Sequence, residues 1–457
     1  MAKLDRVEEA LTKARTGDLT KARTLSRDLG KVPPGHPSLM ELTVAAHQAG
    51  DLVLALKFLD RAAVSGSADA LYGRGVILAS LGRLDEARTA FAKCLERFPT
   101  HEPALTNLGG LEHLAGNLAE AERCYRAVLD FAPRSALALH NLAGLFLAQG
   151  RRDEAEAFAR RAVEIEPGPD TALRLADILG EAGRHAEAAA MLGPVLDAYP
   201  ADVRLWRAVG HAAKKQGRTL DAVAAYRTAL GLDPEDGESS HMVAALTGTN
   251  TERAPADYVR GFFDTYADRF ESHLVEEVGY QAPATLRALY ERVGGGAMLD
   301  SVLDLGCGTG LTAQAFQGIA GRVFGIDLSP RMLQLAGASG LYAGLREADA
   351  ATALARSTGL AAVLATDLFI YVGDLDEIFA GAASALAPGG WFLFSVESGE
   401  GEGYTLRPTG RYAQSPAYIR ALIARHGLEE VACEHGRIRG GSDGDIDGDY
   451  WAIRKPV

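Results

Sequence analysis

From residue 4 to about 236, apolar residues recur at the three-and-four spacing of amphipathic helices. A glycine interrupts this pattern at a nearly fixed interval. Gly17, Gly50, Gly82, Gly116, Gly150, Gly183 and Gly217 are 33, 32, 34, 34, 33 and 34 residues apart. Five residues after each glycine stands an alanine: Ala22, Ala55, Ala87, Ala121, Ala155, Ala188 and Ala222. Seventeen residues after the last five glycines stands a proline: Pro99, Pro133, Pro167, Pro200 and Pro234. Glycine gives the backbone freedom to end one helix and turn into the next, alanine allows two helices to cross closely, and proline ends the second helix. The pattern predicts about seven helix–turn–helix repeats over residues 1–236. Leu59, Phe91, Tyr125, Leu192 and Tyr226 are expected to fill the space between repeats. Residues 237–257 read as a closing helix and linker. From residue 258 onward, short apolar runs alternate with helical patterns, which predicts a parallel sheet covered by helices.

The 34-residue period with this Gly–Ala–Pro framework resembles the tetratricopeptide (TPR) repeat. The resemblance implies a right-handed α-solenoid whose first helices line a concave groove. Asn107 and Asn141 stand nine residues before their glycines, on the first helices of adjacent repeats. An asparagine amide both donates and accepts, so the pair fits either a ladder gripping an extended peptide or an ordinary solvated helix face. Arg174 holds the same position one repeat later.

In the second half, the run Ser301–Gly310 reads SVLDLGCGTG, a buried strand that reaches Asp304 and then turns through three glycines. Such a turn lets a ligand approach the backbone amides closely. The next strand, RVFGID, ends in Asp327, 23 residues after Asp304, where a carboxylate can accept both hydroxyls of a ribose. The turn does not continue as GxGxxG, the dinucleotide fingerprint.

These features resemble the S-adenosylmethionine-dependent methyltransferases with a Rossmann-like, seven-stranded fold, over residues 258–457. The resemblance implies S-adenosylmethionine as cofactor, held by Asp304, Gly306, Cys307, Gly308, Gly310, Asp327, Leu328, Met332, Asp349, Ala350 and Thr366. It places Asp349 at the adenine amino group. It also implies later strands at 361–366, at 386–397 after a Pro-Gly-Gly turn, at 431–438, and an antiparallel one at 449–455. The flanks Tyr258–Tyr280 and Leu406–Ile423 resemble bacterial TPR-repeat methyltransferases; Gln414 stands where members of that group carry histidine.

Tyr266 and Tyr371 are the expected catalytic, substrate-side residues, with His273, Glu397, Arg411 and Tyr412 as further candidates. The Asn/Asp-Pro-Pro-Tyr loop of many amine methyltransferases is absent from the fourth strand. Cys307 is expected to pack rather than react. No metal site is expected: Asp443, Asp445 and Asp447 have the opening of a calcium loop, but Arg454 stands where its glutamate is required.

Charge changes the picture in one respect. The 457 residues carry 47 Lys/Arg and 60 Asp/Glu, net −13, of which residues 251–457 supply 17 − 27 = −10. That balance argues against nucleic acid as a partner and favours a cationic target at the second half. Four scattered cysteines exclude a disulfide scaffold. No apolar run reaches about 18 residues, and the first residues lack the apolar core of a leader, so a cytoplasmic, non-membrane protein is expected. The sequence thus anticipates a methyltransferase whose TPR groove recruits a protein or peptide. The alternatives are a small-metabolite methyltransferase with TPRs for assembly, and a non-catalytic cofactor-binding scaffold.

Overall fold

The computed structural model describes residues 4–27, 29, 32–267, 270, 279–441 and 444–457. The chain divides into two compact units, Met1–Pro200 and Ala201–Val457.

The first unit is a series of helical pairs: Leu4–Ala14 with Thr20–Leu25, Ser38–Gln48 with Leu52–Ala63, Ala68–Ser80 with Leu84–Arg97, Glu102–Leu114 with Leu118–Phe131, Ala136–Ala148 with Arg152–Ile165, and Pro169–Glu181 with His185–Ala198. A seventh pair, Val203–Lys215 with Thr219–Leu232, falls in the second unit. Each pair turns at its predicted glycine, with φ between +72° and +84°. The seven alanines are buried, as close helix crossing requires.

The large residues of the second helices behave differently from the expectation. Phe91, Tyr125 and Tyr226 lie against Gly75, Gly109 and Gly210 of the first helix in their own repeat. A Cβ added at those glycines would sit 2.4, 2.6 and 3.0 Å from the ring. The aromatic ring therefore locks one repeat internally, because only a bare backbone leaves room for it. Leu59 does reach the next repeat, facing Gly73.

In the second unit, helix Gly237–Thr247 follows the last pair, and helix Ala256–Tyr266 precedes the sheet. The strands are β1 (Leu299–Leu305), β2 (Ala320–Asp327), β3 (Gly344–Glu347), β4 (Leu360–Ala365), β5 (Leu386–Glu397), β6 (Tyr404–Leu406), β7 (Tyr412–Gln414), β8 (Glu429–Gly441) and β9 (Gly444–Arg454). Seven of them form one sheet in the order β3-β2-β1-β4-β5-β9-β8, in which only β9 runs opposite to the rest. β6 and β7 make a separate hairpin. Apolar clusters fill both faces of the large sheet, so β1, β4 and β5 read as nearly continuous apolar runs. The order reverses between β1 and β4, which opens a crevice at their carboxyl ends, where open α/β sheets bind ligands. No described helix is long and apolar enough to cross a membrane.

Gly109→Ala is expected to destabilise the protein by about 1–3 kcal/mol, the usual range for overpacking. Gly110→Ala is the control on the same helix: its Cβ would meet nothing closer than the Tyr125 hydroxyl at 3.9 Å. Urea unfolding of both variants checks the pair, and equal midpoints would contradict the packing account.

Candidate cofactor and acceptor site

The chain leaves β1 through Gly306, Gly308 and Gly310, at φ +63°, +53° and +108°. A side chain is excluded at Gly306 by Leu368, 2.9 Å from a Cβ there, and crowded at Gly310 by Tyr342 at 3.2 Å. The loop is tied to β2 twice. The Cys307 N–H donates to the Ile326 carbonyl at 2.8 Å, and the Gly308 N–H donates to Asp327 Oδ2 at 2.9 Å. Asp327 Oδ1 accepts the Ser329 N–H, also at 2.9 Å. Burial pushes the Asp327 carboxyl up in pKa against these donors. A carboxylate has about four acceptor positions, so Asp327 retains capacity for ligand hydroxyls.

The other expected cofactor residues divide by position. Asp304 is fully buried, and its Oδ2 accepts the Tyr342 hydroxyl at 2.7 Å. It supports the loop from within the sheet, and burial raises its carboxyl to about 7. Met332 is fully buried at the start of helix Pro330–Ala338, its N–H bonded to Ser329 Oγ. Asp349 caps helix Ala350–Ala355 by accepting the Thr352 N–H at 3.0 Å, which leaves Ala350 as the first helical residue. Thr366 joins β4 to the loop's helix through Thr312 Oγ1 at 2.6 Å. Cys307 is buried, and burial drives its thiol pKa up. Among the described residues, Asp304 Oδ1 and Thr309 Oγ1 are buried without a partner. The left-handed glycine loop, the Asp327 carboxylate and these polar atoms fit a nucleoside joined to an amino-acid group.

Helix Ala256–Tyr266 covers this crevice. Arg260 donates to the Leu328 carbonyl at 3.1 Å and pairs with Glu347 at 2.7 Å, while Asp264 accepts from Ser329 Oγ. These bonds aim an aromatic stripe inward. Phe270 lies on the loop, 3.7 Å from a Cβ added at Gly308. Tyr266 packs on Phe270 (5.7 Å between ring centroids), Phe270 on Phe263 (6.1 Å) and Phe263 on Tyr371 (5.5 Å). Tyr266 and Tyr371 thus belong to one aromatic wall. His273 lies outside the described residues.

Beyond Tyr371, at the ends of β4 and β5, is a cluster of charge that the sequence reading only partly named. Asp367 is a non-glycine residue at φ +56°, a strained conformation of the kind held at functional sites. Arg439, reaching in from β8 and buried, bridges Asp367 and Glu397; its Nη2 is 2.7 Å from Glu397 Oε1. Arg407 donates to Glu397 Oε2 at 3.2 Å, and Arg411 stands 3.8 Å from Oε1. Burial pushes the Glu397 carboxyl up against these guanidiniums. Burial also pushes the Tyr371 hydroxyl up to about 12.

One sequence candidate, Tyr412, and its neighbour Gln414 are supports. Tyr412 is fully buried, with its hydroxyl hydrogen-bonded to Thr251, so it is packing and not pocket surface. Gln414 is buried and donates to the carbonyls of Phe369 and Val372 at 3.0 and 2.8 Å. It clamps the turn that carries Tyr371. Arg407, Arg439 and Asp367 were missed as site residues. The segment GRIRG holds two arginines, and nothing in it singles out Arg439 over Arg437.

The hairpin turn that carries Arg407 and Arg411 rests on helix Gly237–Thr247. His241 Nε2 lies 2.8 Å from the Gly410 carbonyl. A carbonyl only accepts, so the ring carries its proton on Nε2. Met242 fills the space beside Gly410, where a Cβ would meet its methyl at 2.3 Å.

In the first unit, Asn107 Nδ2 donates to the Tyr72 hydroxyl at 3.2 Å, across adjacent repeats. Asn141 is half-buried one repeat on, and Arg174 lies over Gly144.

Comparison with known proteins agrees with this geometry. The methyltransferase-domain family pattern matches residues 302–390. Tetratricopeptide-repeat patterns match 66–134, 103–167 and 173–237. The ubiquinone biosynthesis O-methyltransferase of Thiobacillus denitrificans is 32% identical over 130 residues, covering 27% of this chain and 53% of that protein. The protein of the same name from Burkholderia orbicola is 36% identical over 99 residues, covering 21% and 43%. The chain therefore spans about half the length of the curated relatives it matches. Among solved structures, a tetratricopeptide repeat protein from Parabacteroides merdae has a TM-score of 0.42 at 21% identity, over 54% of this chain and 98% of that one. A Haloferax volcanii complex of the Trm112 methyltransferase activator and a putative methyltransferase gives 0.34 at 21% identity, over 44% and 98%. The chain combines tetratricopeptide repeats with a class I, Rossmann-like methyltransferase domain.

The buried Asp304 generates a pH prediction. Its folded pKa of about 7 lies above the unfolded value of about 3.9, so its stabilising contribution is full below the unfolded value and is lost as pH rises through the folded one. Asp304→Asn keeps an acceptor for Tyr342 and does not titrate. Its melting temperature relative to wild type should climb across that window and level off above it. A pH-independent difference would contradict the burial argument.

Proposed function

We propose that this chain is an S-adenosylmethionine-dependent methyltransferase. The observation that carries the proposal is the three-glycine loop at positive φ, clamped to the β2 carboxylate through the Gly308 N–H. Gly306, Gly308 and Gly310 would hold the amino-acid part of the cofactor, and Asp327 the ribose hydroxyls. Asp349, Ala350 and Leu328 would line the adenine. When bound, the cofactor supplies a methyl group already activated on a sulfonium.

What remains for the protein is alignment. Orientation contributes roughly 7–11 kcal/mol, against a factor of about 10²–10⁴ for a general base. The residues present suit that division. Tyr371, with its pKa near 12, keeps its proton at neutral pH and acts as a donor. Glu397 is engaged by arginines, and no free base stands among the described residues of the wall. Phe263, Tyr266, Phe270 and Tyr371 would exclude water and orient the acceptor.

We assign the TPR groove, with Asn107 and Asn141, to recruitment of a protein or peptide that carries the acceptor. The second reading is a small-molecule acceptor, with the repeats serving assembly; the O-methyltransferase names of the matched relatives favour it. Removing residues 1–245 would not separate the two, because His241 and Met242 support the turn bearing Arg407 and Arg411. Substitution in the groove does.

Asp327→Ala and Gly308→Val should each abolish or sharply weaken S-adenosylmethionine binding by calorimetry; unchanged affinity in both would refute the cofactor assignment. In cell extract with methyl-labelled cofactor, wild type should yield labelled product and Asp327→Ala none. Loss of labelled macromolecule in the Asn107→Ala, Asn141→Ala double variant supports recruitment. Unchanged labelling of a small, filterable product supports the second reading. The absence of any labelled product leaves the scaffold reading standing.

A further inference from the structure

The charge cluster at the ends of β4 and β5 has a sign that the composition of the domain conceals. Residues 251–457 are net −10. Around Tyr371 the count is reversed: Arg407, Arg411 and Arg439 face Asp367 and Glu397, three positive charges against two negative. Arg439 is used up by bridging both carboxylates, and it is buried. Arg407 is committed to Glu397 and to the Ser398 carbonyl. Arg411 is held less tightly. Its approach to Glu397 is 3.8 Å, and its side chain is 35% exposed. Burial lowers the Lys214 pKa, with smaller contributions from the neighbouring charges of Lys215 and Arg411, and Glu238 acts against them. Glu238 is itself shared with Arg207. One positive charge is therefore left over beside an aromatic wall, partly exposed and with Glu397 at 3.8 Å.

We propose that this excess charge is an anion subsite, and that the methyl acceptor carries a carboxylate that docks on the Arg411 guanidinium beside Tyr371. The inference rests on the methyltransferase reading and names its substrate class. A guanidinium presents two parallel donors that match a carboxylate; Arg411 approaches Glu397 only to 3.8 Å, and that carboxylate is already engaged by Arg439 and Arg407. The turn that carries it is pinned at both ends. Arg407 N–H bonds the Arg411 carbonyl, and His241 bonds the Gly410 carbonyl. A pinned backbone limits the conformations that the side chain must give up on binding. The aromatic wall suits a flat or apolar group between the carboxylate and the cofactor loop. The local charge also reverses the expectation of a cationic target drawn from the domain's total: the sign at the acceptor end, not the overall sum, meets the substrate. The carboxylate can belong to a small acid or to a peptide, and the test separates these sources.

The probes are benzoate, with benzamide and benzylamine as neutral and cationic matches, and an acetylated tripeptide with a free C-terminal carboxylate against its C-terminal amide. Binding to the full chain is measured by calorimetry in the presence of S-adenosylhomocysteine, whose own binding is measured first. The expected result is that a carboxylate form binds in preference to its amide and amine counterparts. Arg411→Gln should weaken that binding about tenfold or more, the factor carried by one charge-assisted pair. Arg411→Lys should recover part of it, and Arg425→Gln, on a distant exposed surface pair, should leave it unchanged. Benzoate alone marks a small acid, and the free-carboxylate peptide alone marks a peptide. Equal or tighter binding of the amide or amine forms, no binding of either carboxylate, or wild-type binding by a folded Arg411→Gln variant would each overturn the proposal. If S-adenosylhomocysteine itself does not bind, the methyltransferase reading fails instead; if it binds and the carboxylates do not, only the anion subsite fails.

Discussion

The site depends on one hydrogen bond, from the Gly308 N–H to the Asp327 carboxylate. The loop after β1 alternates three glycines with Cys307 and Thr309, and its glycines hold a backbone conformation that most residues avoid. Left alone it would sample many conformations, because glycine loses the most freedom on ordering. The carboxylate at the end of the neighbouring parallel strand fixes it. Only the register of β1 with β2, which pairs Leu305 with Ile326, brings Asp327 within reach of the loop. The same carboxylate turns the chain into helix Pro330–Ala338 through Ser329. One acidic residue thus sets the floor of the crevice and the direction of the next element.

The cover of the crevice has a different origin. It comes from outside the sheet, from helix Ala256–Tyr266, and is tied down by Arg260 and Asp264. That helix packs with helix Gly237–Thr247 and the β6–β7 hairpin in one apolar cluster. The helix that closes the repeat array therefore does two things. It caps the last helical pair, and through His241 and Met242 it seats the turn that holds Arg407 and Arg411. The closing helix that the sequence predicts after the repeats also supports the arginine-bearing turn of the candidate site.

Much of this was legible in the sequence, for definite reasons. A repeat displays its constraint seven times, so the turn glycines and crossing alanines stand out. The strands of a parallel sheet covered on both faces are continuous apolar runs, and the acidic residue at the end of each is conspicuous against them. What packs against a residue is not written locally. Phe91, Tyr125 and Tyr226 were assigned to gaps between repeats, whereas they fill the grooves left by Gly75, Gly109 and Gly210 in their own repeats. Tyr412 reads as a substrate-side ring and is wholly buried against Thr251. Arg439 and Asp367 stand 72 positions apart, and no spacing rule links them.

The sequence by itself determined the period of the repeats, the alternation that makes the sheet, and the glycines and Asp327 of the cofactor loop, because each rests on local backbone geometry or on a strand end. Only the tertiary structure decided the rest. It buried Asp304 beneath the loop, joined the closing helix to the acceptor turn, and gathered three arginines and two carboxylates from β4, β5, β8 and a hairpin turn. Local charge is set by which residues converge in space, and a net-acidic domain can therefore carry a locally positive end.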